Sequence, residues 1–455
     1  MSYWILLVLV SALAVIALAL NDWEAPAPAP LCMSGFVVAT LLAIMGQPTW
    51  NVEPLGIEAA LIVLLGCVGF IAGCWLITNS MKVDCINNKR AGACYIAPWW
   101  KYALVGIVLL VSIYLQYSET LQLSAEYGLK TENWAEAAKT VRYATSTMYS
   151  SDAISLNAGF SIWCRQLQKV SVAAGYVSIY LLVSCMTREG NSKERFMRAL
   201  PPAVLFFLSC ISVLVAGGRR DIMYFCIAGA CLWGVLSIRS GVDAKRVLVR
   251  LVVIALILVP IAAVGFWMAG NIVGRKASSG IVEYISFYFG CGTPTLQALI
   301  DKGVEETVRF GQYSFYYFYA FLSKFGFVDN LGRSSIDWVF LGGHNSNVPT
   351  SFACYYFDFG LLGVLIMSFV AGLILNAIYR AARICGLPIL LSLMGYMSGY
   401  IFDMARANAS SIGYIVSPSR LIMACLVVVL TLFFTIGYPT LRDKVAKVSS
   451  LLRAR

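Results

Sequence analysis

The sequence predicts an all-α, polytopic helical membrane protein of about eleven transmembrane helices, with two large loops on one face. Three observations carry this. Hydrophobic residues make up 60% of the 455 and charged residues 13%, against about half apolar and a quarter charged in ordinary globular chains. Uninterrupted apolar runs recur along the whole length, long enough for a ~30 Å hydrocarbon core that takes about 20 helical residues to cross. The alternating pattern of barrel strands is absent, and unpaired backbone is too costly in lipid for anything else, so the runs are helices.

Residues 1–116 hold the first four spans. The run at 3–20 follows no basic residue, so it lacks the positive leader of a secretory signal and reads as a retained span. A rigid Ala-Pro repeat, 25–30, leads to a second run at 31–46, short enough for a tilted or re-entrant segment. The third run, 57–78, ends at a loop carrying Lys82, Lys89, Arg90 and Lys101; short basic loops stay on the cytoplasmic side. The fourth run is 102–116, and residues 117–160 form a polar loop on the outer face with a surface helix around 133–143. Residues 161–270 hold spans at 161–186, 199–216, 222–238 and 251–270, joined on the inside by Arg188, Lys193, Arg195, Arg198, Arg239, Lys245, Arg246 and Arg250. Residues 271–350 are a second, larger outer loop, too polar and interrupted for a clean span. Spans at 351–377, 387–403 and 421–438 complete residues 351–438, and 439–455 is a basic inside tail.

Alternating these spans puts the excess of Lys and Arg inside and leaves the outer segments near neutral. The net charge of +11 is therefore topology and not a nucleic-acid footprint. Most of the fourteen cysteines lie inside apolar runs, as Cys67, Cys74, Cys210, Cys226, Cys231 and Cys425 do, where they pack as small residues. Cys85 and Cys94 share a basic loop with no histidine and no second cysteine pair, which argues against zinc. No Walker loop, dinucleotide fingerprint, HExxH or kinase motif is present, so any donor must arrive already activated.

The chain has one histidine, His344, in Gly342-Gly-His-Asn-Ser-Asn-Val-Pro-Thr350, where a polar loop meets a long apolar run. It is the obvious candidate for acid-base work near neutral pH; the bland alternative is a hydrogen-bonded surface histidine. Gly217-Gly-Arg-Arg-Asp221 puts two guanidinium groups into a tight outer turn, where loops usually avoid positive charge. Arg219 and Arg220 offer forked donors suited to phosphate oxygens. The competing reading is an internal pair with Asp221, the arginines snorkelling to headgroups. Arg165, Lys169, Arg275, Lys276, Arg309, Arg333, Arg406 and Arg420 also sit at outer span ends or in the long loop. Each alone reads as a headgroup anchor; together they suggest an anionic, lipid-linked substrate. An aromatic run, Phe310 to Phe327, can stack on sugar rings or lie in the membrane interface.

These segments resemble a known family. The span layout with two large outer loops, Gly217-Gly-Arg-Arg-Asp221 after a span, and Gly343-His-Asn before Tyr355-Tyr-Phe-Asp-Phe-Gly-Leu-Leu-Gly363 are similar to the Wzy-type O-antigen, or oligosaccharide repeat-unit, polymerases. The resemblance implies a multi-pass protein of the bacterial inner membrane whose active site faces the periplasm. It implies transfer of the growing glycan from undecaprenyl pyrophosphate to the terminal hydroxyl of a new lipid-linked repeat unit. Arg219 and Arg220, with Arg275 and Arg333, would hold the pyrophosphate; His344 would orient or deprotonate the hydroxyl, with Asn345 as hydrogen-bond partner. No metal or cofactor is implied. The implied partners are the undecaprenyl-pyrophosphate-linked oligosaccharide, membrane lipids and a chain-length-determining copolymerase.

The O-antigen ligases, which transfer glycan to lipid A-core, resemble the same features. A flippase or transporter of the same lipid-linked oligosaccharide is the alternative from another class. Charges midway along spans would favour the flippase and are nearly absent, as is an internal repeat of fixed period.

Overall fold

The computed structural model describes residues 2–50, 54–81, 97–148, 160–187, 191–272, 280–303, 309–323, 325–328, 338–406 and 417–436. The protein is an all-α polytopic membrane protein: fifteen α-helices and one two-stranded hairpin lie among the described residues. In chain order the helices are α1 (Tyr3–Leu20), α2 (Pro28–Trp50), α3 (Ile57–Ser80), α4 (Trp99–Glu126), α5 (Trp134–Met148), α6 (Ile162–Met186), α7 (Ser192–Val215), α8 (Arg219–Arg239) and α9 (Ala244–Ile272). Then come α10 (Ile281–Gly290), α11 (Gly292–Lys302), α12 (Tyr316–Ser323), strands β1 (Val339–Leu341) and β2 (His344–Ser346), α13 (Phe352–Cys385), α14 (Pro388–Phe402) and a final helix, here α15 (Pro418–Thr435).

Ten of these helices are long and apolar enough to cross a membrane. The segment at 31–46 belongs to a 23-residue helix, α2, because the chain keeps helical geometry from Pro28 through Pro48 to Trp50. Conversely, 387–403 contains a helix of only 15 residues, α14, closed by a 3-10 turn at Asp403–Ala405. At 1.5 Å per residue it rises roughly 22 Å, so its C-terminal end stops short of the far boundary of a ~30 Å core.

The described residues of 271–350 carry three helices and the hairpin. Helices α10 and α11 pack on α2 and α3, and Gly290 lets α10 approach the backbone of Ala43 on α2, where a Cβ would sit 2.6 Å from the Ala43 nitrogen.

The central seam joins α3 to α13 through small residues. Gly69 faces the Leu365 carbonyl, Gly73 the Phe369 carbonyl, and Gly372 the Phe70 carbonyl, each leaving no room for a Cβ. Four-residue spacing of Gly69 and Gly73 puts both on one face, the small-residue arrangement that brings membrane helices into backbone contact.

The ninth expected span is not one straight rod. Gly360 has φ 65° and ψ −165° inside α13, a conformation that costs a side-chain-bearing residue but not glycine. Contacts along α3 show a reversal there. In the first arm, 352–359, Phe352 packs at Gly66 while Tyr356 donates to Glu58, nearer the start of α3. In the second arm, Leu365, Phe369 and Asn376 meet Gly69, Gly73 and Thr78 in turn, running the other way. The missing Cβ of Gly363 accommodates Phe359 across this bend. The crossing therefore begins after Gly360, about ten residues later than the apolar run suggests.

The two ends of the bundle differ in charge. At the basic end, Glu24 accepts hydrogen bonds from the Tyr379 hydroxyl at 2.6 Å and Arg383 Nε at 3.2 Å, with Arg380 Nη1 at 4.0 Å. Arg380 also donates to the Thr78 carbonyl at 3.2 Å, and Asn21, Thr78 and Asn376 continue the network. Cations there close neighbouring helices: Arg239 donates to the carbonyls of Arg383 and Ile384 at the end of α13, and Lys101 to those of Phe433 and Ile436 at the end of α15. The negative pole of a helix C-terminus makes this favourable. Helix α9 is the outlier, packing on α8 and α10 and leaving Leu256, Val259 and Ile261 exposed, as a lipid-facing helix must.

Candidate active site

His344 lies at the end opposite the basic cluster. Gly342 and Gly343 have φ 48° and 96°, the paired positive values of a two-residue hairpin turn, which only glycine-like residues adopt cheaply. The turn pairs Leu341 with His344 and Val339 with Ser346. Gly342 rests on the Trp50 carbonyl with no space for a Cβ, so the hairpin sits on the last turn of α2. Ser346 anchors its other side: its hydroxyl accepts from Thr295 Oγ1 at 2.7 Å and lies 3.7 Å from Cys291 Sγ.

The His344 ring is thereby held against α10. Its Nε2 is 3.0 Å from Glu283 Oε1, and its centroid is 4.6 Å from that of Phe287. Phe287 is held edge-on by Trp50, 5.3 Å away. Glu283 and Phe287 are four residues apart and so share one face of α10. The side chains of His344 and Glu283 remain 28% and 30% exposed, open to a ligand.

The adjacent face of α10, about 100° round the helix, carries Tyr284 and Tyr288, and these meet the arginines. Arg219 begins α8 after the Gly217-Gly218 turn and is only 4% exposed. Its guanidinium lies 4.6 Å from the Phe266 ring, 5.6 Å from Tyr284 and 5.8 Å from Tyr288. It donates to the Tyr284 hydroxyl and, at 3.4 Å, to the Phe266 carbonyl. Gly270 leaves the space it occupies. Among the described residues no carboxylate pairs with Arg219, so ring faces and two oxygens offset its buried charge. Arg220 lies over Tyr224 at 5.6 Å.

Tyr288 also covers Arg406, whose guanidinium is 4.4 Å from its ring and 3.3 Å from its carbonyl. Arg406 makes a forked pair with Asp403 at 2.6 and 2.8 Å, and Asp403 accepts a further bond from the Tyr224 hydroxyl. Arg420 stacks on and bonds Tyr400, whose ring is 5.0 Å from Tyr224. The short α14 sets the depth of this group, because its end supplies Asp403.

Of the residues singled out in sequence, His344, Arg219, Arg220, Arg406 and Arg420 come to this one end, the first two against adjacent faces of α10. Asn345 does not partner His344. Strand alternation turns it to the opposite face, where it is exposed and its side chain bonds to no described residue. Arg275 and Arg333 lie outside the described residues. The aromatic run is tied to the first arm of α13: Asp358 accepts from the backbone nitrogens of Tyr313 and Ser314 at 3.0 and 2.6 Å, and Phe310 lies 5.0 Å from Phe359.

Sequence reasoning missed Glu283, Tyr284, Tyr288 and Asp403. One signal was available: Glu283 is the single carboxylate in the apolar stretch 281–290, an expensive place for it without a partner. The fold and this group of residues define a polytopic membrane protein with a histidine–carboxylate pair beside buried arginines at one end of its bundle. No family model matches the chain, and no curated protein matches it in sequence.

Proposed function

We propose that the chain is a polymerase of lipid-linked oligosaccharide repeats in a bacterial inner membrane, related to the Wzy-type enzymes, working at the periplasmic face. The observation that carries this is α10, whose consecutive residues Glu283 and Tyr284 hold a half-buried histidine and a buried arginine. Glycosyl transfer from a pyrophosphate needs both halves: a group that takes the hydroxyl proton, and cations that stabilise charge on the departing phosphate. Support for the sidedness is the basic cluster at the far end of the bundle, since short basic segments remain cytoplasmic. In this reading α14 with its 3-10 turn is the eleventh crossing, and the helices within 271–350 roof the site.

Arg220 and Arg420, lying over tyrosine rings, are the guanidinium groups nearest in role to the expected phosphate holders. Arg219 and Arg406, more deeply buried, set the local positive potential and fix α10 from behind.

The test is a gel of surface lipopolysaccharide from cells lacking the gene, complemented with the intact sequence or with His344→Ala. A single repeat unit on the core after deletion, with a ladder restored only by the intact sequence, is the expected result. Bare core with lipid-linked polymer accumulating would replace this reading with a ligase. Bare core with unpolymerised units on the cytoplasmic face would replace it with a flippase.

A further inference from the structure

The geometry points to Glu283 as the positioning residue that fixes the tautomer of His344, so that Nδ1, and not Nε2, is the atom that takes the proton of the acceptor hydroxyl. This rests on the polymerase reading for its chemistry, though not for its geometry. A carboxylate only accepts, so a neutral imidazole facing it at 3.0 Å must present Nε2 as N–H. The lone pair is then confined to Nδ1, which bonds to no described residue on a side chain 28% exposed. A flip of the ring, which would carry Nε2 away from Glu283 and put a carbon in its place, is opposed by Phe287 against the ring face and by Trp50 behind Phe287. The hairpin beneath is pinned at Gly342 and Ser346, so the whole support is rigid.

The transfer step then balances. The terminal sugar hydroxyl oxygen bonds to the anomeric carbon of the donor glycan while its proton passes to Nδ1. The anomeric carbon–oxygen bond breaks with its electron pair going to the pyrophosphate oxygen, and the imidazolium gives its proton up to solvent. As the imidazolium forms, Glu283 keeps its bond to Nε2 and gains an ion pair. Tyr284 and Tyr288, on the neighbouring face, hold the helix that carries Glu283 against Arg219 and Arg406. Proton acceptor and cations are in this way referenced to one rigid element.

A single histidine in the chain makes the assignment directly observable. The full-length protein, purified through a tag without histidine and labelled with 13C,15N-histidine, gives one imidazole signal in bilayers by solid-state NMR. At a pH where the ring is neutral, the expected spectrum has Nε2 protonated and Nδ1 bare. Glu283→Leu should release the ring into both tautomers and lower transfer about 10²-fold at unchanged membrane abundance. Glu283→Gln, whose amide oxygen accepts the same bond, should keep the tautomer and recover transfer to within about tenfold of the intact protein. Protonated Nδ1 in the intact protein, or an unaltered tautomer in Glu283→Leu, would overturn the assignment. Full transfer by Glu283→Leu would overturn the positioning role and leave the polymerase reading standing. A full glycan ladder from His344→Ala would instead overturn that reading, and with it any use of Nδ1, whatever the spectrum shows.

Discussion

Tyr284 donates no bond toward the histidine next door; its hydroxyl instead receives the Arg219 guanidinium, one residue along α10 from the carboxylate that holds His344. His344 and the buried cation are thus coupled through a single peptide unit.

Removing that hydroxyl tests the coupling. We predict that Tyr284→Phe loses one hydrogen bond to a charged donor, about 1.5–3 kcal/mol, while keeping the ring over Arg219. Glycan chains should shorten with protein abundance unchanged. A ladder of normal length would show that Arg219 does not depend on Tyr284.

A second prediction concerns Asp403, 2% exposed, which forks onto Arg406. Asp403→Asn strands a buried guanidinium, and breaking a buried pair in this way costs about 3–5 kcal/mol. The melting temperature in detergent should fall sharply. Replacing both residues by leucine should recover part of the loss, because no charge is then left unpaired; equal losses in the single and double variants would count against the pair.

The glycine seam gives a matched comparison. Gly73→Ala meets the Phe369 carbonyl on α13, whereas Gly265→Ala on α9 meets nothing within 4 Å. The first should destabilise by about 1–3 kcal/mol through overpacking, and the second should be neutral or stabilising by up to about 1 kcal/mol from helix propensity. Thermal unfolding of the two purified variants decides it, and similar melting points would refute close α3–α13 packing.

Cys291, between α10 and α11, reports on the hairpin. Burial pushes its thiol above the ordinary range, more than the hydrogen bond from Ser346 pulls it down. Less thiolate is therefore present at any given pH than for an exposed cysteine, and thiolate is the reactive form. Maleimide labelling at neutral pH, read peptide by peptide, should spare Cys291. Gly342→Val, which drives the hairpin off the Trp50 carbonyl, should expose it. Ready labelling of the intact protein would contradict the packed hairpin.

How much of this was legible depended on the range of the interaction. The first span, 3–20, coincides with α1 because an unbroken apolar run leaves no other choice. The reversal at Gly360 was hidden because both arms are apolar, and periodicity does not record a positive φ. Helices α10 and α11 read as loop because Glu283, Gly290 and Gln297 interrupt them; burial against α2 and α3 overrides that local signal. The resemblance offered Asn345 as a hydrogen-bond partner, yet the side chain facing His344 is Glu283, 61 residues earlier in the chain. Asp403 looked like the end of a span, since nothing local says that Arg406, Tyr224 and Tyr288 converge there.

One wall around Arg219 is Phe266, which belongs to α9, the helix with its flank turned to lipid. The lateral pressure that seats this wall comes from acyl chains and is written nowhere in the gene. A bilayer thinner than the apolar length of α9 makes that helix tilt, and Phe266 moves with it. Membrane thickness becomes a setting for the arginine cage, so under the proposed polymerase function the same polypeptide reconstituted in short-chain and long-chain lipids should transfer glycan at different rates.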